Sequence, residues 1–361
     1  MNVRPQLDYA RDGASLTRGR AVASRKKHIG YRLKDWYDGP ERGGYGHIIN
    51  LGGLPRRGKV VIGDGIVLRR ASAAQVRSIK ALHQHHGMFE PSPRNPFETV
   101  FRFTGPWEGG VRGANVADLP RSGWTYYVGE HLGFNPALDL FLESTALTPW
   151  PLEEGASVLD ENFTNGTGIG FGFSVKTKAL DRFAWASSSS EQPFVTLDDA
   201  GIQELRATYT AYKNHDNAVV DLHAAVRRYW TLKEVPENSD MHLLGLFGIL
   251  ESLLTHKPDD KDPTDSLTRQ IKNKMNLLNT RFKRPLPYSE RLGQVDPIKV
   301  WGALYGLRSC AAHGTTADFK SGSLRILKSA AAAKELVGLA VVATMRQALE
   351  EPALVRDLKG C

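Results

Sequence analysis

The chain has 361 residues, 41% of them hydrophobic and 24% charged, a composition typical of a soluble globular protein with room for two domains. No run approaches the roughly 18 apolar residues that span a bilayer, and the first residues lack the apolar segment of a signal peptide, so we expect a cytoplasmic protein with no membrane partner. Two cysteines exclude a disulfide framework, and a net charge of +8, spread over both halves, is compatible with a polyanionic partner.

The first half of the chain is predicted to be a polar arm followed by a β-rich domain. Residues 1–30 are rich in Arg, Lys and Ser, which indicates a solvated basic arm or, alternatively, a contact to a phosphate backbone. Residues 31–196 carry short alternating or apolar runs separated by Pro and Gly, a pattern typical of strands. We predict a hairpin at residues 59–69, strands at 99–103, 124–128, 168–175 and 193–197, and a short helix at 72–86.

The polar and glycine-rich clusters of this domain do not indicate a cofactor or metal site. His83, His85 and His86 have no Cys or carboxylate beside them at a metal-ligand spacing, which favours surface histidines. The glycines at 43–46 and 52–53 are not placed between a strand and a helix, so they match neither the P-loop nor the dinucleotide-binding pattern. We therefore expect no metal and no cofactor, although an unknown trigger ligand or protein could bind this domain.

The second half of the chain is predicted to be helical. Asp198 and Asp199 are good helix-capping residues, and the apolar spacing after them is typical of helices. We predict helices near residues 199–213, 217–232, 240–255, 264–282, 296–313 and 323–350. The fold class is therefore α+β, with a mixed, β-rich domain at residues 31–196 followed by an all-α bundle at residues 197–361.

One predicted helix, residues 240–255, carries an acid on its apolar face. Spacing by three and four places Glu251 on the same stripe as Phe247 and Leu254. A carboxylate in such a place costs several kcal/mol, as an order of magnitude, unless it is paired or hydrogen-bonded. The sequence therefore predicts a cationic or hydrogen-bonding partner for Glu251.

The predicted helix at residues 296–313 carries Arg308 beside aromatic residues and ends with His313 before Gly314. A row of small residues also runs along this helix, and a similar row runs along the 240–255 helix. The two rows are Gly302, Gly306 and Ser309 on the later helix, and Gly245, Gly248 and Ser252 on the earlier one. Such rows favour a close helix–helix contact, within one chain or across a dimer.

Three segments in this order resemble the HEPN superfamily and, within it, the Apea-like group. They are HLLGLFGILESLL at 242–254, SLTRQIKNKMNLL at 266–278 and LYGLRSCAAHG at 304–314. In the last, Arg308 is followed after four residues by His313, which is similar to the family's signature. The resemblance covers about residues 199–350. It implies a helical bundle that forms a homodimer and, in many members, a metal-independent endoribonuclease.

The resemblance also implies roles for individual residues. His313 would take or give a proton near neutral pH, and Arg308 would bind the phosphoryl oxygens of RNA during attack by the 2′-hydroxyl. Glu251 would hold Arg308 or orient His313. Basic residues on the neighbouring helix and after it would receive the RNA backbone. These residues are Arg269, Lys272, Lys274, Arg281, Lys283 and Arg284.

Other interpretations of the same residues remain open. Arg308 and Glu251 could form a purely structural ion pair, His313 could be a helix-terminal histidine favoured by the helix dipole, and residues 269–284 could be a solvated face. The resemblance implies an effector of antiviral defence or a toxin, triggered through the N-terminal domain. The alternative is a non-catalytic HEPN module that binds RNA or dimerises, with the function carried by the N-terminal domain.

Overall fold

A six-stranded antiparallel sheet organises the first half of the protein. The computed structural model describes residues 44–55, 58–73, 76, 80, 97–108, 111–132, 137–159, 173–175, 194–258 and 266–361. The strands are β1 Gly44–Ile49, β2 Leu51–Gly53, β3 Lys59–Gly63, β4 Ile66–Arg70, β5 Thr99–Glu108, β6 Val111–Asp118, β7 Tyr127–Leu132, β8 Glu154–Leu159, β9 Phe173–Val175 and β10 Val195–Thr196. The sheet has the order β3-β4-β7-β1-β8-β9, while β5 and β6 form a separate hairpin and β10 pairs with β2 in parallel.

The hairpin predicted at residues 59–69 is confirmed. Gly63 lies opposite Ile66 in the antiparallel β3–β4 pair, which leaves Asp64 and Gly65 as a two-residue turn. Both turn residues have positive φ, 49° at Asp64 and 78° at Gly65. This is the backbone that a type I′ turn requires, and it explains the choice of Asp followed by Gly.

Helices make up the second half of the protein, and one further helix lies between β7 and β8. They are α1 Ala137–Thr145, α2 Asp199–Lys213, α3 Leu222–Leu232, α4 Asp240–Leu254, α5 Leu267–Asn279, α6 Tyr288–Leu292, α7 Pro297–His313, α8 Ala330–Glu350 and α9 Pro352–Gly360. Short 3₁₀ turns lie at Arg121–Gly123 and Ser323–Leu327. The predicted change from strands to helices at Asp198 is confirmed, because the described residues after β10 contain helices and no strands.

Side-chain caps determine where the long helices begin. Ser239, Ser266, Asp296 and Ser329 precede α4, α5, α7 and α8, and each side-chain oxygen accepts a hydrogen bond from a backbone N–H in the first turn. Such caps satisfy donors that have no partner within the helix. Pro297 lies at the first position of α7, where the fixed φ of proline already has a helical value.

Helix α2 connects the two hydrophobic cores of the protein. Its residues Ile202, Leu205 and Tyr209 are buried against the sheet and α1, whereas Tyr212, one turn later, belongs to the core formed by the later helices. The hydroxyl of Tyr209 also donates a 2.7 Å hydrogen bond to Asp64 in the hairpin turn. The described residues belong to one compact unit, Arg32–Cys361. A division into separate domains at residue 197 stays a prediction.

The α+β class is confirmed, but several boundaries differ from the prediction. The helix predicted at 323–350 is interrupted, because Lys328 has a positive φ of 61° and Ser329 starts a new helix. The helix predicted at 217–232 begins at Leu222, and the strand predicted at 124–128 begins at Tyr127. The short helices α1, α6 and α9 were not predicted.

Some predictions concern residues outside the described ranges. They include the basic arm at 1–30, the three histidines at 83–86, most of the helix at 72–86 and the first part of the strand at 168–175. Within the described ranges, no helix has both the length and the apolar character that crossing a bilayer requires.

Candidate functional site

Helices α4 and α7 pack against each other through buried apolar side chains. Phe247 on α4 and Leu304 on α7 are fully buried in the helical core. Tyr305 on α7 lies edge-on to Phe247, with ring centroids 5.8 Å apart and planes at 87°. Edge-to-face pairs of this kind add stability beyond the area that they bury. This contact brings the C-terminal turns of α4 next to the middle of α7.

The sequence predicted a partner for Glu251, and in the structure this partner is Arg308. The Arg308 Nε lies 3.3 Å from Glu251 Oε1, and Arg308 Nη2 donates to Oε2 at 3.5 Å. The Tyr305 hydroxyl donates to Oε1 at 3.1 Å. The guanidinium carbon of Arg308 also lies 5.5 Å from the centre of the Tyr305 ring, within cation–π range. Glu251, Tyr305 and Arg308 therefore form a three-residue cluster between α4 and α7.

The Glu251–Arg308 contact leaves part of the guanidinium without a strong partner. Both nitrogen–oxygen distances are longer than the 2.7–2.9 Å of a well-formed charged hydrogen bond. Although Nε is near Oε1, its N–H is poorly aligned, so this buried nitrogen has no hydrogen bond among the described residues. The Arg308 side chain is 29% exposed and that of Glu251 is 19% exposed. Arg308 is therefore held in place while part of its side chain stays exposed to solvent.

The hydroxyl of Tyr305 remains protonated near neutral pH. Burial, followed by the charge of Glu251, raises the pKa of Tyr305 to about 12. A protonated hydroxyl donates to the carboxylate and fixes one of its oxygens. Tyr305 was not among the predicted site residues. The signal was present, because Tyr305 lies three residues before Arg308 and so shares its face of the helix.

His313 is the exposed last residue of α7. Gly314 follows in the left-handed conformation, with φ of 65°, and its N–H donates to the Cys310 carbonyl, which ends the helix. Among the described residues, the His313 ring has no hydrogen bond or ion pair. Five residues along a helix correspond to about 7.5 Å along the axis and a rotation of about 140°. A single chain therefore does not bring His313 onto the Glu251–Arg308 pair.

The predicted RNA-binding residues differ in their surroundings. Arg269 and Arg281 are exposed near the two ends of α5. Lys272 lies over Gly302 of α7, since its Cδ would be 3.7 Å from a Cβ added there. Lys274 is buried, and its Nζ donates to the Leu254 carbonyl at 2.9 Å, so it stabilises the C-terminus of α4.

The remaining two predicted RNA-binding residues lie in a separate cleft of about 460 Å³ between α2, the segment after α5, and α8. Lys283 pairs with Glu350 at 2.7 Å, and Arg284 is 3.9 Å from Glu204. Arg346 also lines this cleft. The basic charge in this cleft is thus partly neutralised by neighbouring carboxylates.

The two rows of small residues do not face each other. Gly245 on α4 is covered by the side chain of Leu232 from α3, and an added Cβ there would overlap it. Gly302 on α7 is covered by Lys272 from α5. Gly248, by contrast, has no atom within 4 Å of an added Cβ, so this position of α4 is open. At Gly245 and Gly302, then, the small residues make room for side chains of the same chain.

The described residues contain no group of three or more His, Cys, Asp or Glu side chains arranged to bind a metal ion. The residues at the ends of α4 and α7 with side chains suited to chemistry are Arg308, Glu251 and His313.

Comparisons of the chain with models of protein families, with curated proteins and with solved structures gave no match.

Proposed function

We propose that this protein is a metal-independent endoribonuclease of the HEPN type, which acts as a homodimer with Arg308 and His313 as catalytic residues. The observation that carries the proposal is the environment of Arg308. This guanidinium is positioned by Glu251 and Tyr305, yet its side chain stays 29% exposed. A fixed, accessible cation suits a phosphodiester that gains negative charge during reaction.

The exposed His313 supplies the proton transfer that such a reaction needs. The imidazole would remove the proton from the 2′-hydroxyl, and the 2′-oxygen would then form a bond to phosphorus while the bond to the 5′-oxygen breaks. The leaving 5′-oxygen would receive a proton from the His313 of the second copy. The products are a 2′,3′-cyclic phosphate and a 5′-hydroxyl. Arg308 stays charged throughout and would bind the non-bridging oxygens.

A homodimer is part of this proposal because of the separation within one chain. Arg308 and His313 are about 140° apart around α7. Within one copy they therefore lie on different faces of the helix. Pairing the ends of two α7 helices would place an Arg308 and a His313 from different copies around one RNA strand. The exposed position of His313 at the end of α7 is compatible with this arrangement and is the observation that supports it.

The test is RNA cleavage in the presence of EDTA. Purified protein is incubated with total RNA, and the fragments are analysed for cyclic phosphate ends. We expect cleavage by the wild type, loss in His313→Ala and Arg308→Ala, and full activity in Lys299→Ala, a control that removes an exposed cation from the first turn of the same helix. Equal cleavage by the wild type and His313→Ala would show that the nuclease proposal is wrong.

A non-catalytic role is the second candidate, and one observation favours it. His313 has no hydrogen bond among the described residues that would orient its ring, whereas catalytic histidines are usually oriented by a second group. In this role the helical part would bind RNA or dimerise without cutting. Retained RNA binding and dimerisation, with no cleavage under any metal or EDTA condition, would support this role and reject the nuclease.

The biological setting proposed for the nuclease is a toxin or an effector of antiviral defence in the cytoplasm. The sheet-bearing part would then receive the trigger, an unknown ligand or protein. Helix α2, which contributes to both hydrophobic cores, offers a physical connection between that part and the later helices. Growth arrest on expression of the wild type, absent with His313→Ala, is the outcome that this setting requires.

A further inference from the structure

The cleft of about 460 Å³ between α2, the segment after α5, and α8 shares no lining residue with the Glu251–Arg308 cluster. Its volume is within the range of small-molecule binding sites. Apolar side chains that keep accessible surface line it from two helices, Ala207 and Ala211 on α2 and Ala343 and Leu349 on α8. The cleft therefore offers an accessible apolar surface to the body of a ligand.

Arg346 is a half-buried cation that lines this cleft. Its Nε donates a hydrogen bond to the Leu147 carbonyl, just after α1, which holds the side chain in place. Its two terminal nitrogens make no hydrogen bond among the described residues, and neither of them is shut off from solvent. A guanidinium keeps its charge at any ordinary pH. Arg346 is therefore a fixed cation with two accessible donors that are not yet used.

Arg284 adds a second guanidinium beside Arg346. Burial and, after it, the charge of Arg284 lower the pKa of Arg346, with Glu204 and Glu350 opposing the change, so the two guanidiniums lie within reach of each other's charge. The ion pair of Arg284 with Glu204 is long, 3.9 Å, compared with the 2.7–2.9 Å of a well-formed charged hydrogen bond. Two neighbouring cations repel each other, and an anion bound between them would offset that repulsion.

The charged side chains that line the cleft leave one positive charge in excess. They are Lys283, Arg284, Arg346, Glu204 and Glu350. Lys283 and Glu350 neutralise each other in an ion pair of 2.7 Å. Glu204 offsets the charge of one guanidinium, so the charge of the other stays uncompensated. A monoanion matches this balance, whereas a cation would be repelled.

We propose that this cleft binds a small organic monoanion, a carboxylate with an apolar body, whose charged end pairs with Arg346 and Arg284. The planar guanidinium of Arg346 matches the two oxygens of a carboxylate. The methyl groups of Ala207 and Ala343 contact the apolar body. Such a ligand would link α8 to α2, the helix that contributes to both hydrophobic cores. The proposal does not depend on RNA cleavage, and its test contains no RNA.

Four probes test this proposal on the full chain at low salt: hexanoate, hexan-1-ol, hexylammonium and acetate. Ligand-detected NMR titration gives the affinity of each probe. We expect hexanoate to bind roughly tenfold or more tightly than hexan-1-ol, the effect of charged hydrogen bonds. Hexylammonium reverses the charge and acetate lacks the apolar body, so both are expected to bind at least roughly tenfold more weakly than hexanoate. Hexanoate that binds no more tightly than any one of the other three, or that does not bind in the tens-of-millimolar range, overturns the proposal.

Arginine variants test the recognition of the charge. Arg284→Gln removes a cation whose side chain is 60% exposed, and it is expected to weaken hexanoate binding roughly tenfold while hexan-1-ol is unaffected. Arg228→Gln is the matched control, because it removes an exposed cation of α3 that does not line the cleft. It is expected to leave both affinities unchanged. Arg346→Gln should act like Arg284→Gln, and Arg284→Gln remains the test if loss of the bond to the Leu147 carbonyl prevents folding.

Alanine variants locate the apolar body. Ala207→Leu enlarges an exposed side chain of α2 that lines the cleft, and it is expected to abolish binding of hexanoate. Ala353→Leu adds the same group at an exposed helix position outside the cleft and is expected to leave the affinity unchanged. Circular dichroism checks that each variant is folded. Wild-type affinity for hexanoate in either Ala207→Leu or Arg284→Gln overturns the assignment of this cleft.

Discussion

Replacing Glu251 with Gln removes one charge from the Glu251–Arg308 pair and keeps an acceptor for the Tyr305 hydroxyl. The substitution is nearly isosteric, so it tests the charge and not the packing. With Nε and Oε1 3.3 Å apart, the direct attraction is about 5 kcal/mol at an effective dielectric constant of about 20. Desolvation of the two half-buried side chains offsets most of that gain.

The exposed fractions of the two side chains, 29% for Arg308 and 19% for Glu251, place this pair between a surface pair and a buried one. We therefore expect Glu251→Gln to lower the free energy of unfolding by about 1 kcal/mol. Arg308→Met should cost more, about 2 kcal/mol, because the carboxylate is left with only the Tyr305 hydroxyl. The double variant should cost less than the sum of the two.

Denaturant unfolding of the four proteins measures the coupling, and RNA cleavage at a temperature where all are folded measures the function. If Glu251 positions Arg308 for catalysis, Glu251→Gln should lower kcat by roughly tenfold or more while the binding of RNA changes little. Unchanged cleavage in Glu251→Gln, combined with the expected loss of stability, would refute the positioning role and leave the pair a structural one.

Three further predictions concern stability. Because burial lowers the pKa of His242 in the folded protein, the unfolded chain binds more protons than the folded chain as the pH falls below about 6.5. The free energy of unfolding should therefore decrease as the pH drops through that value. Equal pH profiles for the wild type and His242→Asn would contradict this. Both Gly245→Ala and Gly248→Ala gain up to about 1 kcal/mol of helix propensity, but only the Cβ added at Gly245 would overlap Leu232. Gly245→Ala should therefore be less stable than Gly248→Ala by roughly 1–3 kcal/mol. Similar unfolding midpoints for the two variants would argue against the contact with Leu232. Asp64→Ala should loosen the hairpin, seen as faster amide exchange in β3 and β4; unchanged exchange would show that the turn holds alone.

Local signals predicted the framework of the fold well. The Gly63-Asp64-Gly65 turn, the cap at Asp198 and the stop at Gly314 all depend on residues within one turn of each other. The elements that were missed, α1, α6 and α9, are short helices whose formation depends on packing. The interrupted helix at residues 323–350 was missed for a related reason, since nothing near Lys328 in sequence requires a positive φ.

The sequence by itself determined that Glu251 needs a partner, because its position on an apolar stripe follows from helical periodicity alone. It also placed Arg308 and His313 on one helix and five residues apart. Only the tertiary structure decided that Arg308 is that partner and that Tyr305 holds the same carboxylate. It also decided that Gly245 and Gly302 face side chains of other helices. Helical periodicity specifies which face of a helix is buried and carries no information about what lies opposite. Glu251 and Arg308 are 57 residues apart in the sequence. They come into contact only when the whole helical core is packed.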